Sequence, residues 1–213
     1  MIKAKVHNVI VARINPTEEE RANPAPRLQD ILSPHRVIIV KEEKGDRAIA
    51  MWIGPFEADA ILSRLRDLSQ IEEYKLKRPM TYDLTKTLLE VGHINVERVT
   101  ISRLHENTFY ARLIVKAEAA VSEVDCRPSD AISLALRVNA PIFIAAEVME
   151  QCGFSPDANG DYTWARHQAV IKRLNSKTDK NDVKPQIWFS LLNLNNEQIK
   201  QLIKERNEFF GLC

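Results

Sequence analysis

The sequence predicts an α+β fold: a mixed, largely antiparallel sheet with packed helices, plus a helical C-terminal appendage. Three observations predict it. β-Branched runs are joined by short turns, so hairpins replace the strict strand–helix–strand alternation of a parallel sheet. Helix starts interrupt them on one theme, proline with an acid close behind: Gly54-Pro55 with Glu57, Arg78-Pro79 with Asp83, Arg127-Pro128 with Asp130. From Gly153 the character changes, which divides the chain into a main domain over 1–152 and an appendage over 153–213.

Val6 to Ile14 alternates as a strand, and Asn15 to Ser33, with three prolines, reads as a solvated loop. Arg36 to Lys41 and Arg47 to Ile53 flank a charged turn and form a hairpin. Pro55 starts a helix whose Phe56, Ala60, Ile61 and Leu65 recur at helical spacing. Ser69 to Lys77 is polar and unassigned. The segment from Arg78 opens a second helix, with Leu84, Leu88 and Leu89 as its buried stripe and Gly92 as its stop. Ile94 to Leu104 and Thr108 to Ala117 bracket His105-Glu106-Asn107 as an antiparallel hairpin, and Ala119 to Cys126 is a third strand. The helix from Pro128 buries Ile132, Ala135 and Leu136 and ends at Asn139-Ala140-Pro141. A short strand over Ile142 to Ala145 and a short helix to Cys152 follow. In the appendage, Tyr162 to Leu174 reads as a helix and Ser176 to Asp182 as a linker. Ile187 to Leu194 is too apolar for water, and a last helix is capped by Asn195 or Asn196. The appendage either packs on the domain or makes an oligomer contact.

With 213 residues, 45% hydrophobic and 28% charged, the chain fills a sizeable core. A formal charge of +1 excludes a bulk pull toward polyanions, so a nucleic-acid site must be a local patch. Three cysteines at unpaired spacing point to a reducing compartment, the cytoplasm. No leader and no apolar run of the ~20 residues a membrane span needs are present, so no membrane is expected. The five histidines, His7, His35, His93, His105 and His167, are scattered and read as surface or capping residues.

The chemistry gathers at Asp125-Cys126-Arg127-Pro128-Ser129-Asp130. Asp125 and Arg127 alternate at a strand end and lean to one face. Asp130 falls in the first helical turn, where free N–H groups favour negative charge, and Ser129 adds a hydroxyl. This suits a phosphate site, and it equally suits a well-capped helix. If the helix starts converge, Arg78 and Arg127 can clamp phosphate oxygens and the carboxylates can hold a hard cation.

Four segments resemble the bifunctional nuclease domain family, in matching order and spacing: Met51 to Ala58 (MWIGPFEA), Arg78 to Leu84 (RPMTYDL), Thr108 to Leu113 (TFYARL) and Asp125 to Leu136 (DCRPSDAISLAL). The resemblance runs from about the first strand to Cys152. It implies a compact α+β domain, often dimeric, that hydrolyses DNA and RNA phosphodiesters. Two positions depart from the family pattern. Tyr82 stands where many members carry histidine, so a general base there does not carry over. Cys126 stands where alanine or leucine is usual, so its thiol reads as packing.

Phosphodiester hydrolysis needs an activated water, charge stabilisation and help for the leaving group. On this reading Asp125, Arg127, Asp130 and Asp83 are the catalytic candidates, and Arg78, Thr81, Tyr82 and Ser129 bind substrate. Asp125, Asp130 and Glu57 hold Mg²⁺ or Mn²⁺. Tyr82, and whichever of Phe109 and Tyr110 faces outward, stack on bases of single-stranded DNA or RNA. A homodimer is the expected assembly. The rival reading is a non-catalytic regulatory module that binds nucleic acid or protein, in which Arg127 and Asp130 merely pair to fix the junction.

Overall fold

The computed structural model describes residues 1–14, 18, 36–65, 78–118, 120–163, 166–168, 185–190 and 195–210. In chain order its elements are β1 (Ile2–Ile14), β2 (Arg36–Glu42), β3 (Ala48–Ile53), α1 (Pro55–Leu65), α2 (Thr81–Val91), β4 (Ile94–His105), β5 (Thr108–Ala117), β6 (Ala120–Cys126), α3 (Pro128–Val138), β7 (Ile142–Ile144), α4 (Ala146–Cys152), β8 (Pro185–Ser190) and α5 (Asn196–Phe210). The loop expected over 15–33, apart from residue 18, the unassigned 69–77, the linker over 176–182 and most of the helix expected over 162–174 lie outside the described residues.

The strands form one mixed sheet in the order β3-β2-β1-β7-β4-β5-β6, with β8 also on β1. Every described pairing is antiparallel except β4 with β7. The expected α+β architecture is therefore the one observed. β1 is long enough to use one edge twice. Ile2–Ala4 pair with β7, and Ile10–Ile14 pair with β8, while β2 runs along the opposite edge. The start of the apolar run from Ile187 thus has a place in the sheet, which the sequence did not indicate.

Local chemistry explains the connections. Glu106 and Asn107 both have positive φ, 47° and 60°, as a two-residue turn matched to strand twist requires. Asn139 closes α3 in the left-handed region at φ 55°, a conformation its short polar side chain tolerates. Asn195 and Gln198 exchange reciprocal bonds of 2.8 and 2.9 Å at the start of α5, a capping box.

The core lies at the β3-β2-β1 end. Val37–Val40, Ala48–Met51 and Val9–Val11 are buried with no regard to alternation, so both sheet faces are covered there. α3 packs on β4 and β5 and touches both α1 and α2. Its Ile132 and Ala135 are buried as expected, joined by Leu134, while Leu136 is only half-buried. The start of the appendage packs on this domain: Phe154 bridges Ala48, and the Tyr162 hydroxyl donates to Asp46 O at 2.7 Å.

Two expectations need correction. His167 is buried against Phe154, and burial pushes its pKa down to about 4, so it is no surface residue. The leucine stripe of α2 is not buried either. Leu84 and Leu88 are exposed, Leu89 is half-buried, and α2 buries no residue. Spacing sets which side chains share a face. It does not say whether anything covers that face, and α2 meets its neighbours through polar side chains instead.

Candidate functional site

Three helix starts meet, and side chains cross between them. Pro55 and Pro128 stand at first helical positions, where the missing N–H is no loss. The first backbone bonds run from Ala58 N to Gly54 O and from Ala131 N to Arg127 O. The preceding N–H groups of each first turn therefore have no intrahelical acceptor.

Arg127, the residue before α3, reaches across to α1. Its Nε donates to Asp130 Oδ2 at 2.8 Å and its Nη2 to Asp130 Oδ1 at 3.0 Å. The same Nη2 lies 2.9 Å from Glu57 Oε1 on α1. A Cβ on Gly54 would stand 2.2 Å from Glu57 Oε2, so glycine there lets the carboxylate fold back toward Arg127. The Arg127 side chain is 67% exposed while that of Glu57 is only 16% exposed, so the bridge has a protein side and a solvent side. Nη1 enters none of these bonds. Among the described residues no acceptor pairs with its two of the five N–H donors.

α2 joins through Tyr82, whose hydroxyl donates to Asp130 Oδ1 at 2.6 Å. Burial, then the hydrogen bond to Asp130 and that carboxylate's charge, push the Tyr82 phenol up to about 12. Burial pushes Asp130 upward too, but the bonds from Arg127 and Tyr82 and the Arg127 charge outweigh it and hold the carboxyl below its usual range. At neutral pH Tyr82 is a donor and Asp130 an acceptor only.

Asp83 belongs to the same junction but to different partners. Its Oδ1 accepts from Arg64 Nη2 on α1 at 2.6 Å and from Arg137 Nε on α3 at 2.8 Å, and its Oδ2 accepts Met80 N–H at 3.1 Å. Burial opposes these bonds, but their sum lowers its pKa. Arg137 has a side chain only 1% exposed. Its Nη1 donates to Ala60 O and Ser133 O at 3.1 and 3.0 Å, and its guanidinium lies 5.3 Å from the Tyr82 ring centroid. One cation thus ties α1, α2 and α3 together and supports the Tyr82 ring.

The remaining candidates divide. Ser129 is buried beside the cluster, and Thr81 is exposed at the first position of α2. Among the described residues no hydrogen bond or ion pair joins Asp125 or Arg78 to Glu57, Arg127, Asp83 or Asp130. Asp125 is exposed on β6, in register with Arg112, whose guanidinium pairs with Glu123 instead. Tyr110 carries Arg103 at 4.2 Å over its ring, whereas Phe109 packs on the core. Burial raises the Cys126 thiol to about 11, so it stays protonated at neutral pH.

The carboxylates as arranged do not fit a divalent cation. Arg127 fills the space between Glu57 and Asp130, both Asp130 oxygens already accept bonds, and both Asp83 oxygens do as well. Among the described residues no group of three or more His, Cys, Asp or Glu side chains is disposed to hold a metal ion.

Sequence reasoning missed Arg64 and Arg137. A basic residue in the last turn of a helix reads as a complement to the helix dipole, which hides any other duty. One signal was available for Arg137. It lies seven residues after Asp130, two turns along, and therefore on the same helix face.

Comparison with known proteins bears on this junction. A family model described as the bifunctional nuclease domain matches residues 38–157, a span that holds every residue of the junction. The chain is 38% identical over 118 residues to an uncharacterized protein of Mycobacterium tuberculosis, covering 55% of this chain and 66% of that protein. It is 29% identical over 120 residues to bifunctional nuclease 1 of Oryza sativa subsp. japonica, and 26% identical over 113 residues to bifunctional nuclease 1 of Arabidopsis thaliana. Those matches cover 54% and 52% of this chain but only 34% and 33% of the plant proteins.

Proposed function

Because the chain belongs to the bifunctional nuclease domain family, we propose that it hydrolyses phosphodiester bonds in single-stranded DNA and RNA at the meeting of its three helix starts. The single observation that carries the reading is the Arg127 bridge: a guanidinium fixed by Glu57 and Asp130, on a side chain 67% exposed, with Nη1 unused among the described residues.

In this scheme a phosphate oxygen binds Arg127 Nη1, with first-turn N–H groups of α1 and α3 alongside. As water attacks phosphorus and the bond to the leaving oxygen breaks, the water gives its proton to solvent and the leaving oxygen takes one from solvent, while charge on the non-bridging oxygens rises and the fixed guanidinium stabilises it. Asp130 orients Arg127 and Tyr82, and its depressed pKa makes it a poor base. Tyr82, kept protonated, donates its one O–H to Asp130 and so holds that carboxylate, and through it Arg127, in place. Glu57 and Asp83 set the positions of Arg127 and α2. No step uses a divalent cation, since none fits while Arg127 holds the carboxylates.

The experiment is cleavage of single-stranded DNA and RNA by the purified chain, with Mg²⁺ and with chelator. Cleavage that disappears in a folded Arg127→Ala, Asp130→Ala double variant supports the reading. Undiminished cleavage overturns it. One observation favours the rival, a non-catalytic binding module: every carboxylate of the junction is already bonded, leaving no evident base. Binding without cleavage by the wild type is its signature.

The proposal extends to a cytoplasmic homodimer. Cys126 is a free thiol, which suits a reducing compartment. Among the described residues no helix is long and apolar enough to cross a membrane. The dimer is supported by the exposed Leu84, Leu88 and Val91, spaced along one face of α2. Light scattering checks it: Leu88→Glu is expected to halve the mass.

A further inference from the structure

We propose that Phe56 is a stacking platform for an unpaired base of the bound strand, beside the Arg127 bridge. The inference rests on the nuclease reading and names how its substrate is held. Phe56 is 83% exposed, at the second position of α1. The next residue, Glu57, is the α1 partner of Arg127. A large apolar ring left in water therefore stands one residue from the carboxylate that holds a guanidinium suited to a phosphate. The only other aromatic among the exposed large hydrophobic side chains described is Trp52, 44% exposed and also within five residues of Glu57. A nucleotide has the same two needs, an anionic group and a flat apolar one, and only an unpaired base offers its face to a ring. Near-zero net charge fits this, because a strand held by stacking needs fewer phosphate contacts.

The test uses the full chain and fluorescence anisotropy with two labelled strands of equal length, oligothymidylate and the same backbone without bases. Wild type is expected to prefer oligothymidylate. Phe56→Ala is expected to weaken that binding about tenfold and to leave the abasic strand unchanged, while Phe56→Tyr retains the preference. An exposed side chain makes no packing contribution, so an unchanged melting temperature confirms that Phe56→Ala is folded. If Phe56→Ala binds both strands as wild type does while cleavage continues, stacking is overturned and the nuclease reading stands. Equal losses on both strands also overturn stacking. If wild type neither binds nor cleaves either strand, both fall. If Phe56→Ala abolishes capture of a protein partner and leaves both strands bound as before, the ring is a protein contact and the proposal is wrong.

Discussion

The Tyr82 hydroxyl lies 2.6 Å from Asp130 Oδ1 and joins the start of α2 to the start of α3, 48 positions later in the chain. The bond makes the orientation of Asp130, and through it of Arg127, depend on a second helix. It also fixes protonation: a phenol held near 12 faces a carboxyl held low, so the proton stays on oxygen of tyrosine.

Tyr82→Phe keeps the ring under Arg137 and removes only this bond. Asp130 retains Arg127, so the loss of stability is expected to be about 1 kcal/mol by denaturant titration. Nuclease turnover is expected to fall about tenfold, because Asp130, and through it Arg127, loses one positioning bond, with KM little changed. Turnover within twofold of wild type would remove Tyr82 from the scheme.

Arg137→Met is expected to be the more damaging change to the fold. It strips Asp83 of one partner and removes one donor each from the carbonyls of Ala60 and Ser133, the first of which still accepts from Ser63 Oγ. Removing one member of a buried ion pair costs about 3–5 kcal/mol, and Asp83 keeps Arg64 and is partly exposed, so about 3 kcal/mol is expected. Equilibrium unfolding at neutral pH measures it.

The pH dependence has two limbs with opposite signs. Asp83 and Asp130 titrate below 3.8 when folded, so the unfolded chain binds more protons in that range. Their contribution is complete above 3.8 and lost as pH falls through their lower folded values. Tyr82 titrates about 12 rather than 10.0, so its contribution is complete below 10.0 and lost as pH rises through about 12. In thermal melts, Asp130→Asn is expected to flatten the acid limb and Tyr82→Phe the alkaline one.

Arg127 occupies the place between two carboxylates that a cation would need. Arg127→Ala is therefore expected to gain Mn²⁺ binding that wild type lacks, read by the electron paramagnetic resonance of free Mn²⁺. Stoichiometric binding by wild type would show that the bridge opens unaided.

Much of this was legible beforehand, and the reasons are local. Pro55, Pro128 and the Glu106-Asn107 turn act over a few residues, so the chain announces them. The meeting of helix starts was readable only as a recurring pattern, Pro with an acid, because Glu57 and Arg127 are brought together by the sheet between them. Arg137 hid within a run that otherwise buries apolar side chains. The α2 leucines showed the converse difficulty: Leu84 and Leu88 have the spacing of a buried face without the neighbour. β8 was visible as an apolar run, but its partner on β1 depends on an edge that β7 leaves half vacant.

The sheet stops at β6, whose residues from Ala120 to Asp125 are exposed and whose outer edge carries no strand among the described residues. An unpaired rim of this kind invites a second chain to zip onto it. Glu123 and Asp125 stand on the same face of that rim, two residues apart, so an antiparallel copy would bring acid against acid in several registers. The molecule is guarded there by repulsion rather than by a covering element. Conditions that silence those charges, acid or concentrated salt, therefore expose it to edge-to-edge pairing of two copies through this strand.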